Sequence, residues 1–126
     1  MSTGQKNMMV LVAGPFRSGT NDDPALIHRN TVFMNEIALR VYETGHLPVL
    51  GEWFALPLIE TAGSQRIGDE VFTALFHPVA IRLLGHCDAV LRVGGPSQGS
   101  DEMVRLATEQ GKPVYFAVED LPTVAE

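Results

Sequence analysis

The chain of 126 residues has a single cysteine, Cys87. That excludes a disulfide framework and fits a reducing compartment. A thiol just ahead of a β-like run reads as buried and inert rather than catalytic. Basic residues are also scarce, nine Lys plus Arg against fifteen Asp plus Glu, for a formal net charge of −6. Binding duplex DNA or RNA needs a basic face, so no nucleic-acid partner is expected. No apolar run approaches the roughly 18 residues of a membrane helix, and the N-terminus lacks the long apolar segment of a signal peptide. No membrane partner is expected, and the cytoplasm is the expected location. The four histidines, His28, His46, His77 and His86, are scattered without metal-ligand spacing. No metal and no other cofactor is therefore expected. Neither a Walker A motif nor Gly-x-Gly-x-x-Gly occurs, which argues against ATPase and dinucleotide roles. Repeats, low-complexity tracts and linkers are absent too.

What is present reads as one domain over residues 1–126, with polar residues 1–7 expected to fray. Met8–Ala13 is a continuous apolar run, as in a central parallel strand buried on both faces. Asp23-Pro24 reads as N-cap and first helical residue. Leu26, Asn30, Phe33, Ile37 and Val41 then form a helical stripe that should stop at Gly45. His46–Leu50 is a second strand, and Pro48 puts it at a sheet edge. Glu52–Gly68 has no clear period and reads as a flap, or as a short helix with loops. Glu70–His86 is helical in pattern, with Pro78 expected to kink or split it. Asp88–Val93 is a third strand, Ser100 an N-cap for a helix through Gln110, Gly111 its end, and Pro113–Val118 a fourth strand.

This alternation indicates a three-layer α/β fold with a parallel sheet of four, at most five, strands. Right-handed crossovers give the order 2-1-3-4. Two glycine-rich turns, Ala13–Gly19 and Gly94–Glu102, each follow a strand and precede a helix. In a parallel sheet the loops leaving the carboxyl ends of the strands share one crevice, and ligands bind there. Backbone amides in such loops favour a phosphate-like anion. The second loop also carries two acids, Asp101 and Glu102.

Several short motifs add to this: Val10-Leu11-Val12-Ala13-Gly14-Pro15-Phe16-Arg17, Gly45-His46-Leu47-Pro48-Val49, Cys87-Asp88-Ala89-Val90-Leu91, Ser97-Gln98-Gly99, and Ala107 through Gly111-Lys112-Pro113-Val114. In order and spacing they resemble the nucleoside 2-deoxyribosyltransferase-like superfamily, which includes nucleoside-5′-monophosphate N-glycosidases. The resemblance implies a flavodoxin-like or Rossmann-like sheet and a catalytic glutamate early in the helix after the Ser-x-Gly loop. It also implies a 5′-phosphate held by Arg17, Ser18, Gly19, Ser97 and Gly99. Members of the superfamily commonly complete their sites across subunits, so a homodimer or higher homo-oligomer is expected. The apolar segment Val71–Leu84 supplies a candidate contact face. Two positions depart from the pattern. Met103 stands where the glutamate usually falls, leaving Glu102 one residue early. Ala80 stands where many members carry an aspartate, with His77 one turn before it.

Each candidate also has a plain reading. Glu102 is the expected catalytic carboxylate and Asp101 the fallback, yet an acid in a helix first turn is favoured by the macrodipole alone. Arg17 suits bidentate phosphate binding and could equally be a solvated loop residue. Gly14 and Gly95 permit tight turns, and Gly14 also permits close approach to a ligand. Phe16 takes a position often held by tyrosine in the superfamily and would pack rather than hydrogen-bond. Asp88 is a candidate ligand residue or a satisfier of local amides. Trp53 and Phe54 could stack a nucleobase or belong to the core. The expected function is cleavage or transfer at the N-glycosidic bond of a nucleoside or nucleoside 5′-monophosphate. A non-catalytic nucleotide or nucleotide-sugar sensor of the same fold is the alternative. A looser likeness to the cytokinin-activating phosphoribohydrolases, through Gly94-Gly95…Gly99-Ser100-Asp101-Glu102, keeps the same bond in view.

Overall fold

A computed structural model describes residues 6–124; the expected fraying of residues 1–5 lies outside the described residues. Four parallel strands, β1 (Met9–Ala13), β2 (Leu47–Val49), β3 (Ala89–Arg92) and β4 (Val114–Tyr115), form one sheet in the order β2-β1-β3-β4. This is the arrangement that the strand–helix alternation predicts. Helices α1 (Pro24–Glu43), α2 (Gly51–Thr61), α3 (Glu70–Leu84) and α4 (Gln98–Glu109) complete the fold.

The central strands show why a continuous apolar run is needed. Val10 and Val12 join Ala89 and Leu91 against Met34, Ile37, Ala38 and Val41 of α1 on one face. Leu11, Ala13 and Val90 point to the other face, against Leu84 of α3 and Met103 and Ala107 of α4. With both faces covered, Val10 to Ala13 and Ala89 to Leu91 are buried whichever way they point. Helices α1 and α4 lie on opposite faces, as right-handed crossovers that run outward in opposite directions require.

The local signals around α1 are met. Asp23 caps it, its carboxylate accepting from the Ala25 amide at 2.9 Å, and Gly45 follows the C-cap Thr44 with φ +102°. Pro48 sits on the edge strand, where its missing N–H costs nothing. His46 is fully buried; its Nδ1 accepts from the Met8 amide at 3.0 Å and its Nε2 lies 2.8 Å from the Pro122 carbonyl. Because Nδ1 accepts, the proton sits on Nε2, and the ring ties the start of β1 to the C-terminal segment.

Of the two readings of the aperiodic segment after β2, the short helix with loops is the one found: α2 has eleven residues and a loop follows it. Three other expectations need correction. Helix α3 is not split at Pro78: that ring and Ala74, whose carbonyl loses its partner, are both exposed, so water can satisfy the freed group. Pro57 sits in α2 in the same way, four residues after the exposed Trp53. Helix α4 begins at Gln98 and is capped by Ser97, not Ser100; the Ser97 hydroxyl accepts from the Ser100 amide at 3.2 Å. Finally, β4 is only two residues long and a 3-10 turn follows at Val118–Asp120. The apolar surplus of α3 is also absorbed within the chain. Phe72, Leu75, Phe76 and Val79 pack with Phe16, Ala55 and Ile59, while Ala80, Ile81 and Leu83 pack under the sheet.

Candidate functional site

The two glycine-rich loops meet. The Val93 amide donates to the Ala13 carbonyl at 2.9 Å. A Cβ on Gly94 (φ +81°) would lie 2.7 Å from the Pro15 ring. Beside this junction, at the carboxyl ends of the central strands, is a cavity of about 170 Å³. Its wall combines Leu11–Gly14 and Phe16–Ser18 from the first loop with Ser97, Gly99, Ser100 and Met103 from the second. Gly51 and Glu52 of α2 and Phe76, His77 and Ala80 of α3 close it.

Of the residues singled out from the sequence, Gly14, Phe16, Arg17, Ser18, Ser97 and Gly99 therefore share one cavity. Gly14 has a packing reason to be glycine, since a Cβ there would fall 2.5 Å from the Met34 sulfur and 2.8 Å from the Val93 carbonyl. Phe16 stacks on Phe76 and Phe72, at 5.2 and 6.4 Å between centroids. Ser97 is occupied as the N-cap of α4 and also donates to the Ser100 hydroxyl. That cap leaves the Gln98 and Gly99 amides without intrahelical partners, at the positive end of the helix dipole.

Arg17 is held rather than free. Its guanidinium donates to both carboxylate oxygens of Asp22, at 2.8 and 2.9 Å, and lies over the Phe72 ring at 5.4 Å. These hydrogen bonds hold the Asp22 carboxyl below the usual carboxylate range. Gly68 covers the guanidinium so closely that a Cβ would come 2.5 Å from it. The loop pays for this grip with strain, because Asn21 and Asp22 both adopt left-handed backbone at φ +53° and +58°.

Other candidates do not reach the cavity. Asp88 accepts from the Met9 amide at 2.8 Å, at the amino ends of β1 and β3 and so at the opposite edge of the sheet. A residue preceding a parallel strand cannot join loops that leave its carboxyl end, so Asp88 instead satisfies the Met9 amide of the neighbouring strand. Trp53 and Phe54 are 44% and 46% exposed on the outer side of α2, and the Trp53 indole donates to Asn35 at 3.0 Å. Gly19 makes a left-handed turn (φ +75°) away from the cavity, and the Gly95 carbonyl accepts from Arg92. Asp101 pairs with the same Arg92 at 3.0 Å.

Glu102 does not line the cavity either. One of its oxygens lies 3.2 Å from Arg105 and the other 3.2 Å from His77 Nε2. That nitrogen is buried and lacks a well-aligned hydrogen bond, so the His77–Glu102 approach is a contact at ion-pair range and not a formed bond. The imidazole packs against Gly99 and faces the cavity, so Glu102 reaches the site through His77.

The residue that sequence reasoning missed is Glu52. It is only 7% exposed, lines the cavity, and makes no hydrogen bond or ion pair among the described residues. Burial pushes its carboxyl up to about 7. The position at the first turn of α2 would favour the ionised form by about 0.3–1 kcal/mol. A rise from 4.5 to about 7 is worth roughly 3 kcal/mol the other way, so burial wins. A usable signal was present: Gly51-Glu52 leaves the carboxyl end of β2, so the rule that singles out the two glycine-rich loops applies to it as well. Cys87 is buried and its thiol is pushed up to about 11, which makes it inert. Among the described residues no cluster of three or more His, Cys, Asp or Glu is placed to hold a metal ion, and no helix is long and apolar enough to cross a membrane. No protein-family model matches the sequence, and no curated protein matches it either.

Proposed function

We propose that the cavity takes a nucleoside or nucleoside 5′-monophosphate and that the protein breaks its N-glycosidic bond, or transfers the sugar across it. One observation carries this reading: both glycine-rich loops, with Arg17 and the open amides of α4, converge on a cavity that also holds an unpaired carboxyl group. Amides, a helix N-terminus and a guanidinium are anion binders. Departure of a base from C1′ requires a carboxylate near the forming cation and benefits from an acid near the base. Here Glu102, paired with Arg105 and 3.2 Å from His77, is the candidate for the first group, and Glu52, whose carboxyl burial pushes up to about 7, is the candidate for the second. The motif resemblance to nucleotide N-glycosidases points to the same bond.

The enclosed volume, about 170 Å³, is below the about 300–1,000 Å³ of usual ligand pockets. It suits the sugar and the reacting bond, with the remainder of the ligand in the open mouth. Titration calorimetry with a nucleoside 5′-monophosphate and its parent nucleoside tests the binding half of this reading. The monophosphate is expected to bind tighter by about tenfold or more, and absence of heat with both ligands would refute it. A non-catalytic binding protein is the second reading, favoured by the placement of Glu102 outside the cavity wall. The reading includes a homo-oligomer, with Trp53, Phe54 and Leu58 of α2 as the exposed apolar face. Light scattering at micromolar concentration that returned the 13.7 kDa monomer would contradict it.

A further inference from the structure

Glu52 is more than nine-tenths buried, yet no side chain or amide among the described residues receives or donates a hydrogen bond to it. Burial makes the charged form of such a carboxyl the costlier one. Its environment keeps it protonated up to about pH 7, with burial as the cause. A protonated carboxyl is an O–H donor in need of an acceptor. The protein wall supplies none, and Glu52 borders the cavity. The other titratable groups on that wall are Arg17, from the loop after β1, and His77, from α3. Helix α4 presents only Ser97, Gly99, Ser100 and Met103 there. Arg17 is engaged by Asp22, and the buried nitrogen of His77 faces Glu102. Neither is placed by these contacts to accept the proton of Glu52. With no fixed acceptor in the wall, the carboxyl proton is open to the cavity and available to a ligand that enters it.

We infer that Glu52 is the proton donor to the departing base, and that the substrates are nucleosides or nucleotides whose base needs protonation at a ring nitrogen to leave. This rests on the N-glycosidic reading of the same cavity. The carboxyl proton of Glu52 passes to the ring nitrogen while the C1′–N bond breaks and its electron pair stays with the base. In hydrolysis a water oxygen bonds to C1′, and the proton it sheds returns to the Glu52 carboxylate. The products are the neutral free base and the sugar phosphate. Nothing else is consumed.

A purine nucleotide and its N7-methylated form separate this role from others, because the methylated base already carries the positive charge that protonation would supply. Base release from guanosine 5′-monophosphate and N7-methylguanosine 5′-monophosphate is measured for the wild type, Glu52→Gln and Glu52→Asp. Glu52→Gln is expected to slow release of guanine by about 100-fold or more while slowing release of 7-methylguanine by less than about tenfold. Glu52→Asp keeps the acid and is expected to fall between, with the same ordering. Equal losses on the two substrates, or none, would overturn the role of Glu52 and leave the N-glycosidic reading standing. Wild-type protein that releases base from neither substrate would overturn that reading and the role of Glu52 together. Thermal unfolding of both variants shows whether they are folded, and Glu52→Gln is expected to melt no lower than the wild type at pH 8.

Discussion

Glu52→Gln should change how the stability of the protein depends on pH, even with no ligand present. Burial raises the folded-state value of this carboxyl from 4.5 to about 7. Below pH 4.5 the group is neutral in both folded and unfolded chains, so it imposes no pH-dependent cost. Between 4.5 and 7 the unfolded chain ionises it freely while the folded chain holds the proton, and native stability falls as pH rises. Above 7 both states are ionised and the loss is complete. At about 1.4 kcal/mol for each unit, the full loss is roughly 3 kcal/mol. Glutamine is nearly isosteric and never ionises. Any fixed cost of seating its amide is independent of pH, so the diagnostic quantity is the difference in slope. Urea unfolding of both proteins from pH 4.5 to 8.5 is expected to show the variant gaining on the wild type by roughly 3 kcal/mol across the window. For a domain of this length that is on the order of 10 °C in melting temperature. Parallel pH profiles would refute the reasoning, because they would mean that Glu52 is solvated or paired in solution.

Four further outcomes follow from the site. Arg17→Ala is expected to weaken nucleoside monophosphates by about 10- to 100-fold and to leave nucleosides nearly unchanged, since one charge-assisted contact is worth roughly 1.5–3 kcal/mol. Asp22→Asn releases the same guanidinium from a half-exposed pair, so it should tighten monophosphate binding by a few-fold; calorimetry showing nucleosides and monophosphates weakened equally by both variants would assign Arg17 a purely structural role. Glu102→Gln should keep ligand affinity and lose most base release, because its charge acts mainly in the transition state; full retained turnover would remove Glu102 from the chemistry. Gly14→Ala places a methyl against Met34 and the Val93 carbonyl and is expected to cost roughly 1–3 kcal/mol, and an unchanged melting temperature would show that the strand end yields easily.

The legible part of the fold was the part governed by short-range rules. Continuous apolar runs marked the buried strands, Asp23-Pro24 and Gly45 bounded α1, and alternation with right-handed crossovers gave the strand order. Helix α2 was obscured because Pro57 and the adjacent Trp53 and Phe54 mask its apolar face, which is carried by Ala55 and Ile59. The aromatic pair consequently points outward, away from the ligand site assigned to it by composition. The capping error at α4 came from two serines three residues apart; Ser97 takes the cap, and Ser100 supplies the amide that it binds. Glu52 was invisible to periodicity because its burial is tertiary. Gly51 ahead of it lies so close to Ala80 of α3 that a Cβ there would come 3.0 Å from the alanine methyl, and Gly51, Glu52 and Ala80 line the same cavity.

The most direct test of the account is turnover itself. Purified protein is incubated with a panel of purine and pyrimidine nucleosides and their 5′-monophosphates, and free base and sugar phosphate are followed by chromatography. The expected result is equimolar release of base and 5-phospho-sugar from at least one monophosphate, faster than from its parent nucleoside and slowed by Glu52→Gln. Saturable binding of the monophosphates with no free base from any member of the panel would contradict it and leave a nucleotide-binding protein without the chemistry.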